Sequence, residues 1–342
     1  MPTRTPAKPG ARNLITDVAG LRVGNAEDEG ARTGVTVILF DKSVVAAADV
    51  RGGAPGTRDV EALAPEGLID AVHAVVLAGG SVFGLDAAGG VISWLAARGV
   101  GFSFGAQPLP CPVVPSAILF DLMNGGDKAW GMAPPYRDLG IAAADAAGDT
   151  FGLGNAGAGL GATAGIFKGG LGSASAIFGG LTIGALVAVN SFGSPADPRS
   201  GNLWARGLAV GDEMGPLKAA KAASGPPPVL AWSKADRGGA APGANTTIAV
   251  VASDADLSKA EAKRFAIMAA DGMARALKPV HTPYDGDTVI ALATGRVALL
   301  EPRALNLAVA GELAADCLAR AIGRGVWEAG TIGAMKAFRE RA

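Results

Sequence analysis

Thr246 is the residue around which chemistry can be built. It follows a Gly- and Pro-rich stretch ending Gly243-Ala244-Asn245 and opens the apolar, β-branched run Thr246-Thr-Ile-Ala-Val-Val-Ala252. Two other segments carry reactive side chains. His281-Thr-Pro-Tyr-Asp285-Gly-Asp287-Thr288 sets two carboxylates on either side of a glycine ahead of a strand-like run, and Lys168-Gly-Gly-Leu-Gly-Ser-Ala-Ser175 is followed by Asn190 at the end of the strand-like Ile183–Val189. A threonine hydroxyl is a weak nucleophile and needs a base. At the start of a chain its own α-amino group, with an ordinary pKa of about 8, could take the hydroxyl proton directly or through water. That arrangement requires a cut between Asn245 and Thr246.

The surrounding elements have to bring these segments together. Strands are expected at Ile15–Val18, Leu21–Val23, Thr33–Leu39, Val44–Val50, Val113–Asp121, Ile183–Val189, Thr246–Ala252 and Thr288–Ala293, from their β-branched and apolar runs. Helices are expected from Ser81, as N-cap, to Gly99, over Leu139–Ala147, after Asp256 or Ser258 to Leu277, and over Ala304–Ile322. Residues 1–12 read as a disordered arm, residues 13–342 as one domain, and Gly225–Ala244 as a linker with an exposed Ser-Lys-Ala-Asp-Arg-Gly-Gly centre. Strands and helices alternating in clusters suit a layered α/β protein with sheets inside and helices outside.

Composition removes several classes of function. A net charge of −1 offers no basic field for nucleic acid. Cys111 and Cys317 fit no metal or redox spacing, and two histidines, His73 and His281, are too few for a multi-His metal site. No apolar run of signal-peptide length follows the basic, Pro-rich start, which points to a cytoplasmic protein. The uncharged stretch Gly170–Val189 is too rich in Gly and Ser for a membrane span and reads as a buried strand pair. Gly157-Ala-Gly159-Leu-Gly161-Ala162 fits the loose dinucleotide pattern, but the next acid, Asp197, lies too far on to hold a ribose. Backbone packing or oxyanion support is the better reading. No Walker motif or G-x-S-x-G elbow is present, and no cofactor or metal is called for.

In series, the motifs resemble the DmpA-like peptidases, which include L-aminopeptidase/D-amidase/esterases, β-aminopeptidases and nylon-oligomer hydrolases. The resemblance rests on Asn13-Leu-Ile-Thr-Asp-Val-Ala-Gly-Leu-Arg-Val-Gly24, Asp49-Val-Arg-Gly-Gly-Ala-Pro-Gly-Thr57, Leu77-Ala-Gly-Gly-Ser-Val-Phe-Gly-Leu-Asp-Ala87, Gly157-Ala-Gly-Leu-Gly-Ala-Thr-Ala-Gly165, Asn245-Thr-Thr-Ile248 and Asp285-Gly-Asp-Thr288, nearly the whole chain in order. It implies an αββα sandwich, self-cleavage into residues 1–245 and 246–342, and a homotetramer of processed protomers. Carried over, Thr246 is the nucleophile, Asp285 and Asp287 the acidic pair supporting it, Asn190 an oxyanion donor and Lys168 an active-site lysine. Two departures accompany it. Lys168 falls two positions later than the lysine of the nylon-hydrolase branch, where Ile166 stands here, and Phe120 replaces a tyrosine that some members hold near the substrate. Phe120 and Asp121 are the substrate-binding candidates, Asp121 for a substrate ammonium.

The expected activity is hydrolysis of small peptide or peptide-like amides through an acyl-Thr intermediate. Two alternatives are an acyltransferase of the ornithine acetyltransferase type, whose Ala-Thr cleavage sequence is absent, and a scaffold that never cleaves.

Overall fold

The computed structural model describes residues 6–103, 105–216, 225–237 and 245–341. The strands are β1 (Leu21–Asp28), β2 (Thr33–Val50), β3 (Thr57–Arg58), β4 (Val72–Ala78), β5 (Ser116–Ile118), β6 (Thr163–Ala164), β7 (Phe167–Lys168), β8 (Gly170–Phe178), β9 (Leu181–Asn190), β10 (Thr246–Ala255) and β11 (Thr288–Val297). The principal helices are α1 (Asp86–Ala96), α2 (Tyr136–Asp145), α3 (Lys259–Ala276) and α4 (Arg303–Glu328).

Strand β2 is the hinge of the architecture. Its first half pairs antiparallel with β1 and β4, and its second half, Val45–Val50, pairs antiparallel with β11. One layer is therefore β3-β5-β4-β2 with β1 at its side, and the other continues β2-β11-β10-β9-β8. Alternation along each strand, the period of two of a pleated ribbon, sorts side chains into three cores. Ile38, Val75 and Leu77 of one layer meet Leu186, Ile248, Val250, Ile290 and Leu292 of the other. Between these positions, Val35, Val37, Ala74 and Val76 turn to α1 and α2, while Ala249, Val251, Val289 and Ala291 turn to α3 and α4. The result is helices, sheet, sheet, helices: the αββα sandwich. Each Ile or Leu taken fully out of water contributes roughly 1.5–3 kcal/mol, so the central apolar alternation is a large part of what selects this packing.

Glycine sets the spacing between α4 and the sheet. A Cβ on Gly172 would stand 1.9 Å from the Ala321 carbonyl oxygen, and one on Gly170 2.3 Å from that of Gly325. Backbone thus rests directly on backbone. Gly172→Ala should destabilise the fold by at least about 3 kcal/mol, the upper range for overpacking a filled core, read from urea unfolding against the parent chain.

Several sequence expectations change. Ile15–Asp17 is a 3-10 turn rather than a strand. The two strands expected between Thr33 and Val50 are one continuous, bent strand. Ser81 does not cap a helix with its side chain; it sits at φ 53° in a 3-10 turn ahead of α1. Ser258 does cap α3, in a reciprocal box with Glu261. The arm expected at residues 1–12 is docked where described: Lys8 bridges Ile177, and the Gly10 amide donates to Ser175 Oγ at 3.0 Å. Residues 1–5 lie outside the described residues. The Gly170–Val189 stretch is the buried pair β8–β9, and among the described residues no helix is long and apolar enough to cross a membrane.

Candidate active site

Thr246 opens β10 directly opposite Asn190, the last residue of β9. Directly opposed residues of an antiparallel pair project to one face, so the hydroxyl and the amide are neighbours by register alone. Both are buried. Asn245, also buried, forms an isolated parallel bridge with Asp285. Its carbonyl oxygen, that of the Asn245–Thr246 peptide bond, accepts the Gly286 amide N–H at 2.9 Å and the Thr246 hydroxyl. Glycine is required at position 286, because a Cβ there would stand 2.8 Å from Thr246 Oγ1 and 2.7 Å from the Ala54 carbonyl oxygen. An acyl carbonyl with a neighbouring hydroxyl and a fixed backbone donor is the arrangement that acyl transfer needs.

The acidic pair grips the strands around Thr246. Asp285 Oδ1 accepts the Phe192 amide at 3.0 Å, and Oδ2 accepts the amide and hydroxyl of Thr282 at 3.0 and 2.5 Å. Asp287 Oδ1 accepts the Thr247 amide at 2.8 Å, while Oδ2 meets the His281 amide at 3.0 Å and its Nδ1 at 2.9 Å. The carboxylates thus fix the end of β9 and the first residues of β10, and these bonds run to groups flanking Thr246 rather than to its hydroxyl. Burial, and then the proximity of Asp287, pushes the Asp285 carboxyl above the ordinary carboxylate range.

Asn190 closes the site on the β9 side. Its Nδ2 donates to the Phe120 carbonyl at 3.0 Å, and its Oδ1 accepts the Thr163 amide at 3.0 Å and Lys234 Nζ at 3.1 Å. A cavity of about 430 Å³ reaches Asn245 and is lined by Phe120, Asp121, Thr163, Lys234 and Met335, among others. Asp121 lies at its buried wall, accepting the Thr33 hydroxyl at 2.7 Å and the Gly80 amide at 2.8 Å, and burial pushes its carboxyl up.

Known proteins match the chain along nearly its whole length. The model for peptidase family S58 matches residues 13–339. The chain belongs to that family. Among the relatives of this S58 chain are an uncharacterized aminopeptidase of Mycobacterium tuberculosis, 42% identical over 96% of this chain and 97% of the relative, and a 6-aminohexanoate-oligomer endohydrolase of Kocuria sp., 31% identical over 85% and 77%. In fold it is similar to an L-aminopeptidase D-Ala-esterase/amidase from Ochrobactrum anthropi, described as a variant of the Ntn hydrolase fold (TM-score 0.69, 21% identity, 98% of this chain and 94% of that one), and to a Burkholderia sp. β-aminopeptidase (TM-score 0.67, 22% identity, 97% and 93%). The S58 protein is therefore a hydrolase, a peptidase or amidase on the Ntn fold.

Of the residues singled out from the sequence, Thr246, Asn245, Asn190, Asp285, Asp287, Phe120 and Asp121 converge here. Lys168 stands directly behind them, paired across β6–β7 with Thr163, which lines the cavity, and within electrostatic range of Asp121. Fully buried, its Nζ donates to the carbonyls of Gly159 and Gly169 at 2.9 and 2.8 Å, tying the glycine-rich segment together. Burial pulls its pKa down to about 7. The native chain therefore binds one proton fewer than the unfolded chain between pH 7 and its ordinary 10.5. Stability should rise across that window by up to about 1.4 kcal/mol per pH unit, cleanest below pH 9, where the raised Cys317 thiol begins to act in the opposite direction. Unfolding titrations at pH 7, 8 and 9 should show this slope, and Lys168→Met should flatten it.

Two site residues escaped the sequence reading. Gly286 signals itself only as the residue between two aspartates. Lys234 lay in the stretch read as a linker with an exposed centre, yet it is buried; its amide donates to the Phe192 carbonyl at 2.9 Å, and the Trp232 carbonyl accepts the Ile166 amide at 3.0 Å. Residues 232–234 thus pack against the end of β9 and the turn after it, residues 228–230 are exposed, and residues 238–244 lie outside the described residues.

Proposed function

We propose that this S58 hydrolase matures by cutting itself between Asn245 and Thr246 and then uses Thr246 as an N-terminal nucleophile on small peptide or peptide-like amides. The observation that carries the proposal is the shared acceptor: the Asn245 carbonyl oxygen takes both the Thr246 hydroxyl and the Gly286 N–H. In maturation Oγ1 attacks the Asn245 carbonyl carbon. The Gly286 N–H holds the oxyanion, the C–N bond breaks, and the Thr246 nitrogen takes the proton. Water then opens the Asn245 ester, releasing an Asn245 carboxylate and restoring the hydroxyl. In turnover the freed α-amino group accepts the hydroxyl proton as Oγ1 attacks the substrate carbonyl. The amine product leaves with a proton, and water hydrolyses the acyl-Thr246 ester.

Asn190 is the second oxyanion donor in this reading, and Asp285 and Asp287 hold the strand ends in register and stabilise the ammonium form of the new N-terminus. Phe120 and Asp121 line the cavity, where the Asp121 carboxyl meets the ammonium of a substrate that loses its N-terminal residue. The aminopeptidase names of the relatives favour that substrate class. The working form is a cytoplasmic homotetramer of processed protomers.

The deciding experiment is the denatured mass of the purified protein. Fragments of residues 1–245 and 246–342 are expected; a single full-length mass stable over days overturns the maturation step.

A further inference from the structure

Lys234 has no part in the reaction just described, although its position is built with care. It is 9% exposed and is held from its own backbone by the Phe192 carbonyl, with Ser233 before it fully buried. The Trp232 ring sits edge-on to Phe167 with centroids 5.5 Å apart, so the turn that carries the lysine is packed from both ends. The ammonium reaches the β9 terminus, 3.1 Å from Asn190 Oδ1 and 3.2 Å from the Asn190 carbonyl oxygen. A buried ammonium costs free energy unless its hydrogen bonds compensate, and two of the groups compensating it here belong to one residue, the one opposite the nucleophile.

The consequence concerns which way round the amide stands. A carboxamide is nearly symmetric in shape, so its oxygen and nitrogen are distinguished only by their partners. Oδ1 of Asn190 faces two donors that have no acceptor capacity, the Lys234 ammonium and the Thr163 main-chain N–H. Turning the amide over would set its NH2 against both. Among the described residues, removing the ammonium leaves one such donor, because the Thr163 hydroxyl, 3.3 Å from Oδ1, can rotate to accept instead. Nδ2 is held on the Phe120 side by the 3.0 Å bond to the Phe120 carbonyl, where Phe120 lines the cavity that reaches Asn245.

We propose that Lys234 is a positioning residue: it fixes the Asn190 amide with its NH2 turned toward the acyl group, in self-cleavage and in turnover alike. The proposal rests on the reading of Asn190 as an oxyanion donor. It also gives the segment ahead of the junction a task that outlasts the cut, since Lys234 is anchored to β9 independently of residue 245.

The test compares Lys234→Met and Lys234→Arg, each with and without Asn190→Ala. Self-cleavage is followed by denatured mass from the moment of synthesis in a cell-free extract, and turnover on p-nitroanilides of small amino acids. Lys234→Met should lower the cleavage rate and kcat together by about 10- to 100-fold, the scale of misplacing one catalytic group, with KM little changed. Lys234→Arg, which keeps the charge and the donors, should recover most of the loss. In the Asn190→Ala background, Lys234→Met should add less than about 2-fold, as expected for residues acting as a unit. Rates unchanged by Lys234→Met, a rise confined to KM, or a full multiplicative loss on top of Asn190→Ala would each overturn the proposal. Should the Met variant fail to fold, Lys234→Gln replaces it in the same comparison, with retention of wild-type rates again decisive against. An Asn190→Ala enzyme of wild-type rate removes the oxyanion reading itself, and a Thr246→Ala enzyme that still hydrolyses removes the nucleophile, so the three failures are distinguishable.

Discussion

Thr246→Ala is expected to leave a full-length chain of 342 residues that neither cleaves nor hydrolyses. Alanine keeps the backbone of β10, the pairing opposite Asn190 and the Thr247 amide bond to Asp287, because none of these uses the hydroxyl. It removes the oxygen that donates to the Asn245 carbonyl. Loss of a covalent nucleophile in comparable hydrolases costs about 10⁶-fold in kcat, so residual activity should fall below detection. Thr246→Ser is the informative companion. It retains an attacking oxygen, lacks the methyl group that restricts χ1, and should process and turn over more slowly than the parent but measurably. Denatured mass and p-nitroanilide hydrolysis read both variants. Hydrolysis retained by the alanine variant would place the nucleophile elsewhere.

Gly286→Ala should have the second-largest effect, and for a different reason. The added methyl would lie 2.8 Å from Thr246 Oγ1 and 2.7 Å from the Ala54 carbonyl oxygen, so either the hydroxyl or the turn must move. The Gly286 N–H moves with the turn, and the Asn245 carbonyl loses a donor now at 2.9 Å. Removing one oxyanion donor costs about 10²–10³-fold in rate, and displacement of the hydroxyl adds to it. Self-cleavage of Gly286→Ala should therefore slow by at least about 100-fold, with the far-UV circular dichroism of the chain preserved. Cleavage at the parent rate would show that the Gly286 N–H does not carry the oxyanion.

Strand positions show how far the order of residues reached. Val35, Val37, Val75, Leu77, Val250 and Leu292 alternate with their neighbours between two cores, and period-two patterning is a local property, visible without any partner. The same holds for Ser258 and Glu261, whose capping box needs only a spacing of three. Thr246 was legible because a reactive hydroxyl followed a Gly- and Pro-rich stretch and opened a strand. The aspartates around Gly286 were legible as a pair. Their hydrogen-bond partners were not: Phe192 comes from the turn just after β9 and Thr247 from β10, and nothing in one segment states which other segment it will meet.

Tertiary structure decided the rest. Whether Thr33–Val50 is two strands or one depends on both sheets being present for the bend to span. Whether a lysine in a Pro- and Gly-rich stretch is solvated depends on what lies beneath it; for Lys234 that is the end of β9, for Lys168 the carbonyls of Gly159 and Gly169. Sequence by itself determined the chemistry available here, a hydroxyl, two carboxylates and an amide, and the layers that would carry them. Register and burial, set by long-range packing, determined which of those groups stand beside the Asn245–Thr246 bond and in what orientation.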